Sequence, residues 1–256
     1  MEKSIYIFDI DGTIAESGKP VDLEMLNLLV ELKKQTSCEL ALCGGGKFEK
    51  ACEQVLNSKL FDYIFAECGC DYRKYNPEIN QYEVIQEKNI RSHKLIKEFN
   101  VLIKHCLRFI SEMEYNLGGH MIDIRKGIVY VSLVGMTATD EERNEFIKLD
   151  KVHGFRNELI SQLEILLHLY KCQNQIQIMI GGAVGITIMP IEHDKVQILD
   201  YLDLSVYKLI AYFGDKYEIG GNDHTIMKHP KVYAYKTTNP EHTKKLILNI
   251  LETNSK

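Results

Sequence analysis

Residues 5–13 read Ile-Tyr-Ile-Phe-Asp-Ile-Asp-Gly-Thr, a hydrophobic run that ends on two carboxylates and a turn. An apolar run this short, with no polar alternation, suits a strand buried on both faces, the central-strand position of a parallel sheet. In extended backbone, residues two apart point the same way, so Asp9 and Asp11 are expected to project together from the strand's end. Two carboxylates that close repel unless something neutralises them. A divalent cation with oxygen ligands does so, and Mg²⁺ suits the role. Gly12 permits close backbone approach, and Thr13 offers a hydroxyl to a phosphate oxygen. The plain alternative is a polar turn after a strand.

The next fifty residues support a parallel sheet. A helix is expected over 23–34, with apolar residues at 23, 26, 28, 29, 30 and 32 and Asp22 as its cap. Strands are expected at 38–43 and 63–66, with a helix over 48–56 between them. Such alternation indicates a doubly wound α/β sheet. The middle of the chain changes character. After Asn76-Pro77 come a long amphipathic helix (95–113), a hairpin around Lys126-Gly127, two helices (140–149 and 156–170) and a second hairpin around Gly181-Gly182. Hairpins with helices suggest an antiparallel α+β domain. After Pro190 the first pattern returns: a helix over 195–202, strands at 207–213 and 232–234, and a helix over 241–251. The expected organisation is a core of residues 1–81 and 191–256 carrying an inserted domain, 82–190.

In open parallel sheets ligands bind beyond the carboxyl ends of the strands. Asp9 lies at one such end and Gly214-Asp215 at another, so Asp215 is a candidate third carboxylate. The turn Gly220-Gly221-Asn222-Asp223 could orient the other ligands. Lys195 could supply a cation for phosphate, and Gly44-Gly45-Gly46 could offer backbone N–H groups. Each also has an ordinary reading, as a solvated lysine or a turn glycine.

The 256 residues carry a net charge of −5 with no long basic run, which disfavours nucleic acid as a partner. No apolar run approaches the ~20 residues of a membrane span. The seven cysteines lack framework spacing, and Cys68-Gly-Cys70 has no second pair at zinc spacing. With a strand expected from the fifth residue, no signal peptide is expected, and the expected setting is cytoplasmic.

Hydrophobic strand followed by Asp-x-Asp-Gly-Thr resembles the first motif of the haloacid dehalogenase superfamily. Longer segments resemble the eukaryotic-type phosphomannomutases: 61–69, 124–132, 141–151, Gly181-Gly182 and Tyr212–His224, collinear over almost the whole chain. The resemblance implies a Rossmann-like core with an α+β cap that also forms a homodimer. It implies interconversion of mannose 6-phosphate and mannose 1-phosphate through a hexose 1,6-bisphosphate, which also serves as activator. Carried over residue by residue, Asp9 is the nucleophile and Asp11 the acid/base. Mg²⁺ is held by Asp9, Asp215 and the backbone carbonyl of Asp11. Arg125 and Arg143 hold the distal phosphate, a task suited to a guanidinium fork; Lys195, Gly45 and Asn222 complete the substrate contacts.

The departures are specific. Met136 stands where the family has a third cap arginine, Gly185 and Thr187 where it has Ser and Asp, and Gly18 (beside Lys19) where it has an arginine. Gly46 replaces a serine and His229 a carboxylate. The chemical core is kept and the sugar-phosphate clamp is thinned. Two rival readings therefore stand beside the mutase: a capped phosphatase of small phosphate esters, and a weakened homologue kept for binding.

Overall fold

A computed structural model describes residues 3–254. In chain order it contains β1 (Lys3–Phe8), α1 (Leu23–Thr36), β2 (Glu39–Cys43), α2 (Phe48–Val55), β3 (Tyr63–Ala66), β4 (Asp71–Asn76) and β5 (Gln81–Glu87). There follow α3 (Ile96–Ser111), β6 (Ile122–Ile124), β7 (Val129–Ser132), α4 (Asp140–His153), α5 (Phe155–Leu169), β8 (Ile176–Gly181) and β9 (Gly185–Pro190). The chain closes with β10 (Tyr207–Gly214), α6 (His224–Met227), β11 (Tyr233–Lys236) and α7 (Pro240–Asn254). It divides into two compact units: residues up to Lys88 together with those from Asp194 onward, and the intervening Asn89–His193.

The first unit is built on a sheet in the order β11-β10-β1-β2-β3-β4-β5. From β11 to β3 the pairs are parallel; β3, β4 and β5 are antiparallel. β1 lies in the middle of the five strands joined by parallel pairing, and its alternating side chains feed two cores. Tyr6 and Phe8 join Leu29, Leu32, Val55, Phe213 and Ile247 under α1, α2 and α7. Ile5 and Ile7 join Phe65, Tyr72, Ile198, Leu199 and Tyr212 on the other face. This is the period-2 rule applied to a strand with no solvent face. Phe8 stacks on Phe213 at 4.6 Å and Phe213 on Tyr235 at 4.3 Å, each pair adding about 0.5–1.5 kcal/mol beyond burial. At the start of α1, Asp22 accepts from the Met25 N–H (2.8 Å), the expected cap.

β4 and β5 have no counterpart among the elements expected from sequence. Their hairpin turns at Pro77, where Asn76 Oδ1 accepts from the Glu78 N–H (2.9 Å). β5 is almost wholly exposed, so it carries no hydrophobic period to read. The expected boundary at residue 82 falls inside β5, and the division lies after Lys88 because β5 completes the sheet. Residues 195–201, expected as a helix, form a 3₁₀ segment capped by Asp194, whose Oδ1 accepts from the Val196 N–H.

The second unit is an antiparallel sheet in the order β6-β7-β9-β8 with three helices. Val129, Val131, Ile186 and Ile188 on the sheet and Phe99, Leu102, Phe146, Leu159 and Leu163 on the helices form its core. A capping box of Thr139 and Glu142 starts α4, and Gly154, in left-handed backbone, separates α4 from α5. No helix among the described residues is long and apolar enough to cross a membrane.

Candidate active site

The N–H of Asp9 donates to the Phe213 carbonyl (2.9 Å), carrying the β1–β10 ladder one residue past the end of β1. Asp9 is therefore held in the sheet while its side chain reaches the carboxyl edge. β10 ends at Gly214 and delivers Asp215 to the same edge. Asp223 joins them: ligand oxygens of Asp9, Asp215 and Asp223 all lie within 4.8 Å of one another. Lys195 is fully buried beneath this cluster, its Nζ 2.5 Å from Asp9 Oδ1 and 2.7 Å from Asp223 Oδ1. Asp223 Oδ1 also accepts from the Tyr212 hydroxyl (2.6 Å) and its Oδ2 from the Lys216 N–H (3.0 Å). Lys216 Nζ sits 2.7 Å from Asp215 Oδ2 at the exposed rim.

Electrostatics follow from this crowding. Burial pushes the Asp9 carboxyl up, to about 7; Asp223 and Asp215 add to the shift, and the Lys195 ammonium opposes it. For Lys195 burial works against the charge, but Asp223 and Asp9 overcome it and hold the ammonium well above the ordinary lysine range. Asp223 is also buried, yet Lys195, Tyr212 and the Lys216 N–H keep it below the usual carboxylate range.

The donor set fits a divalent cation. Asp215 Oδ1, Asn222 Oδ1 and Thr13 Oγ1 are buried and lack a hydrogen-bond partner, a state that ordinarily costs about 1–3 kcal/mol per group. All three belong to loops at the carboxyl edge. Hard oxygen ligands with excess negative charge are what Mg²⁺ or Ca²⁺ requires.

Asp11 is placed differently from the expectation drawn from strand geometry. β1 stops at Phe8, and the chain turns at once: the N–H groups of Thr13, Ile14 and Ala15 all donate to the Ile10 carbonyl. The period of two therefore does not extend to Asp11, whose carboxylate lies outside the three-carboxylate cluster. Its Oδ1 accepts from the Gly18 N–H (2.8 Å) and from Gln54 Nε2 (2.9 Å).

Gly12 makes the turn possible. Its φ is +86°, and a Cβ there would lie 2.6 Å from Asp215 Oδ2. Gly12→Ala is expected to displace Asp215 and strain the backbone by about 1–3 kcal/mol. Urea unfolding and calorimetric titration with Mg²⁺ check this; stability falls and cation affinity weakens together.

The eukaryotic phosphomannomutase family model matches residues 25–253. The chain belongs to that family. It is 32% identical to a probable phosphomannomutase of Caenorhabditis elegans, over 98% of this chain and 96% of that one. It is 33% identical to a phosphomannomutase of Glycine max, over 94% and 93%. Among solved structures, ATP-bound Plasmodium falciparum IMP-nucleotidase matches with a TM-score of 0.74 at 16% identity, covering 100% of this chain and 61% of that one. A haloacid dehalogenase-like hydrolase from Bacteroides thetaiotaomicron matches with a TM-score of 0.59 at 13% identity, covering 97% and 100%. At such identity these likenesses speak for the fold, which is that of the haloacid dehalogenase-like hydrolases.

The two arginines singled out by sequence, Arg125 and Arg143, both lie in the second unit. Arg125 Nε donates to Asp123 Oδ2 (2.7 Å), and its Cζ is 5.2 Å from the centre of the Tyr130 ring. Arg143 Nε points to the Ala138 carbonyl (3.4 Å). Burial pushes the Tyr130 phenol up, opposed by Arg143, Arg125 and Arg156. At Gly185 a Cβ would lie 2.4 Å from the Val131 carbonyl oxygen and 2.7 Å from Tyr130 Cζ. A side chain there would meet the Val131 backbone as well as the Tyr130 ring.

Of the residues singled out by sequence, Asp9, Asp215 and Lys195 come together, with Asn222 next to Asp223. Gly45 lies in the β2–α2 loop, where a Cβ would be 3.9 Å from Cys68 Sγ. In sequence Asp223 reads within a turn that could orient the other ligands, with no role of its own, and Tyr212 only as strand core. Gln54 escapes sequence reasoning altogether. A polar residue on the buried face of α2, beside Ala51 and Val55, is the available signal.

Proposed function

We propose that this chain is a Mg²⁺-dependent phosphohexomutase that interconverts mannose 6-phosphate and mannose 1-phosphate through an aspartyl phosphate on Asp9. The observation that carries this reading is the buried Asp9, with one oxygen on Lys195 and two further carboxylates within ligand distance of each other. The names of the relatives supply the substrate class.

In this reading Asp9 and Asp215, with the Asp11 carbonyl, hold Mg²⁺, which when bound supplies positive charge to the phosphoryl oxygens. Lys195 grips Asp9 Oδ1, so Oδ2 attacks phosphorus. The phosphorus–sugar oxygen bond breaks as Asp11 protonates the leaving oxygen. In the second half-reaction Asp11 takes the proton of a sugar hydroxyl, that oxygen attacks, and the bond to Asp9 breaks. Hexose 1,6-bisphosphate primes the enzyme by phosphorylating Asp9. Gly45 and Asn222 contribute contacts in the first unit; Arg125 and Arg143 are the donors for a second phosphate group. The chain is proposed to work in the cytoplasm as a homodimer through the inserted unit. Sedimentation of the full chain at micromolar concentration should give the dimer mass.

A specific observation favours a second reading, a phosphatase of small phosphate esters. Tyr130 fills the space at Gly185, and Met136 brings no charge. Losing one hydrogen bond to a charged group costs about 1.5–3 kcal/mol, so the sugar would be held less tightly while the intermediate turns over. The deciding assay supplies Mg²⁺, mannose 1-phosphate and a hexose bisphosphate primer, and follows mannose 6-phosphate and inorganic phosphate together. Isomer without phosphate supports the mutase. Phosphate alone supports the phosphatase, and neither product supports a homologue kept for binding. Asp215→Ala should raise the Mg²⁺ concentration for half-maximal activity at least tenfold; an unchanged requirement removes Asp215 from the ligand set.

A further inference from the structure

The carboxylate of Asp11 stands outside the buried cluster, with its side chain 42% exposed. Hydrogen bonds rather than deep burial must hold an aspartate so placed. Two N–H donors hold it. The Gly18 N–H and Gln54 Nε2 both bind Oδ1, at 2.8 and 2.9 Å. Gln54 itself is only 7% exposed. Its Nε2 also reaches the Lys19 carbonyl (3.3 Å), and its own main-chain carbonyl accepts from the Val21 N–H (2.7 Å). The loop that presents the Gly18 N–H is thus tied to the same residue. One turn earlier on α2, Lys50 Nζ lies 3.9 Å from the other oxygen, Oδ2, an i, i+4 pair on one helix face.

We propose that Gln54 is the positioning residue for Asp11. It saturates Oδ1 from a buried amide and so presents Oδ2 as the oxygen that exchanges the proton with the sugar. This rests on the reading of Asp11 as the acid/base. An amide suits the task because it donates a hydrogen bond and neither gives up nor accepts a proton in the working range. A glutamate or lysine at 54 would compete for the proton it is meant to direct. Chemical steps are sensitive to such placement, since a general acid acts only within hydrogen-bond reach.

The rival explanation is that Gln54 merely pins the 16–21 loop to α2. The test separates the two with p-nitrophenyl phosphate, whose leaving group departs without a proton. Wild type, Gln54→Leu and Asp11→Asn are compared for the burst of nitrophenolate, for steady-state turnover, and for kcat and KM with mannose 1-phosphate and primer, all normalised to folded protein. For Gln54→Leu the burst should stay within about twofold. Turnover and kcat should fall roughly 10- to 100-fold with KM within about twofold, the range for a lost hydrogen bond to a charged group. Asp11→Asn should show the same pattern more severely. If Asp11→Asn turns over like wild type, the acid/base reading itself fails. If Asp11→Asn is impaired while Gln54→Leu keeps its kcat, or loses only KM and stability, the positioning role alone is overturned. Should Gln54→Leu not fold, Gln54→Met, similar in length and without N–H groups, is read the same way.

Discussion

Replacing Asp9 by asparagine is expected to abolish phosphoryl transfer, lowering kcat by at least about 10⁴-fold, the scale seen when a nucleophile is removed. The amide preserves shape but is no anion, so it cannot attack phosphorus. The fold should persist. Asp9 is anchored through its backbone to Phe213, and Lys195 keeps Asp223 as a partner at 2.7 Å. One buried carboxyl raised to about 7 is also removed, which lightens the local excess of negative charge. The measurements are turnover and acid-stable or acid-labile phosphate on the protein after incubation with a bisphosphate primer. Turnover near wild type, with label still on the chain, would mean that another side chain is the nucleophile.

Lys195→Met should have the largest effect on stability, about 3–5 kcal/mol at neutral pH, the cost of removing one partner from a buried ion pair. Lys195 has no exposed side-chain surface, and its two carboxylate partners are 8% and 0% exposed. Neither carboxylate can recover its lost partner from water. Both would bind protons in the folded state at a pH where the unfolded chain does not. A carboxyl whose folded pKa is raised stabilises below the unfolded pKa, and that contribution is lost as pH rises through the folded value. The variant should therefore be least impaired near pH 4–5 and worst above pH 7. In wild type the depressed Asp223 has the opposite slope, with stability lost as pH falls, and this partly offsets Asp9. Urea unfolding across that range reads the difference. Added Mg²⁺ should restore part of the variant's stability at pH 7, because cation binding to the folded state is linked to folding. Equal destabilisation at every pH would mean that packing rather than charge is lost.

Local patterns make much of the architecture legible without coordinates. The apolar run into Asp9, the helix stripe of α1 with Asp22 as cap, the β3 segment and the two hairpins of the inserted unit each carry their own periodicity or turn chemistry. The inserted character of residues 89–193 shows in the change of pattern and its return. β4 and β5 are not legible, since β5 is almost wholly exposed and β4 buries only its first two residues, too little to impose a pattern.

For the site, sequence names the carboxylates that end strands, Asp9 and Asp215, because strand ends in a parallel sheet have a known functional address. It does not place Asp11. The turn beginning at Ile10 overrides the alternation that would have paired Asp11 with Asp9, and Gln54, from a helix 43 positions away, supplies the hydrogen bond that holds it. Nor does sequence assign the roles of Tyr212 and Asp223, whose positions as strand core and turn are locally ordinary. Their meeting with Lys195 joins the segment before β10, β10 itself and the turn after it. Periodicity and turn chemistry are properties of neighbours in sequence, so the chain by itself determined most of its elements, β4 and β5 excepted, and the strand ends where charge collects. Burial of an ammonium between two carboxylates, Asp9 and Asp223, is a property of neighbours in space, and the low dielectric that gives that cluster its chemistry exists only once the chain has folded around it.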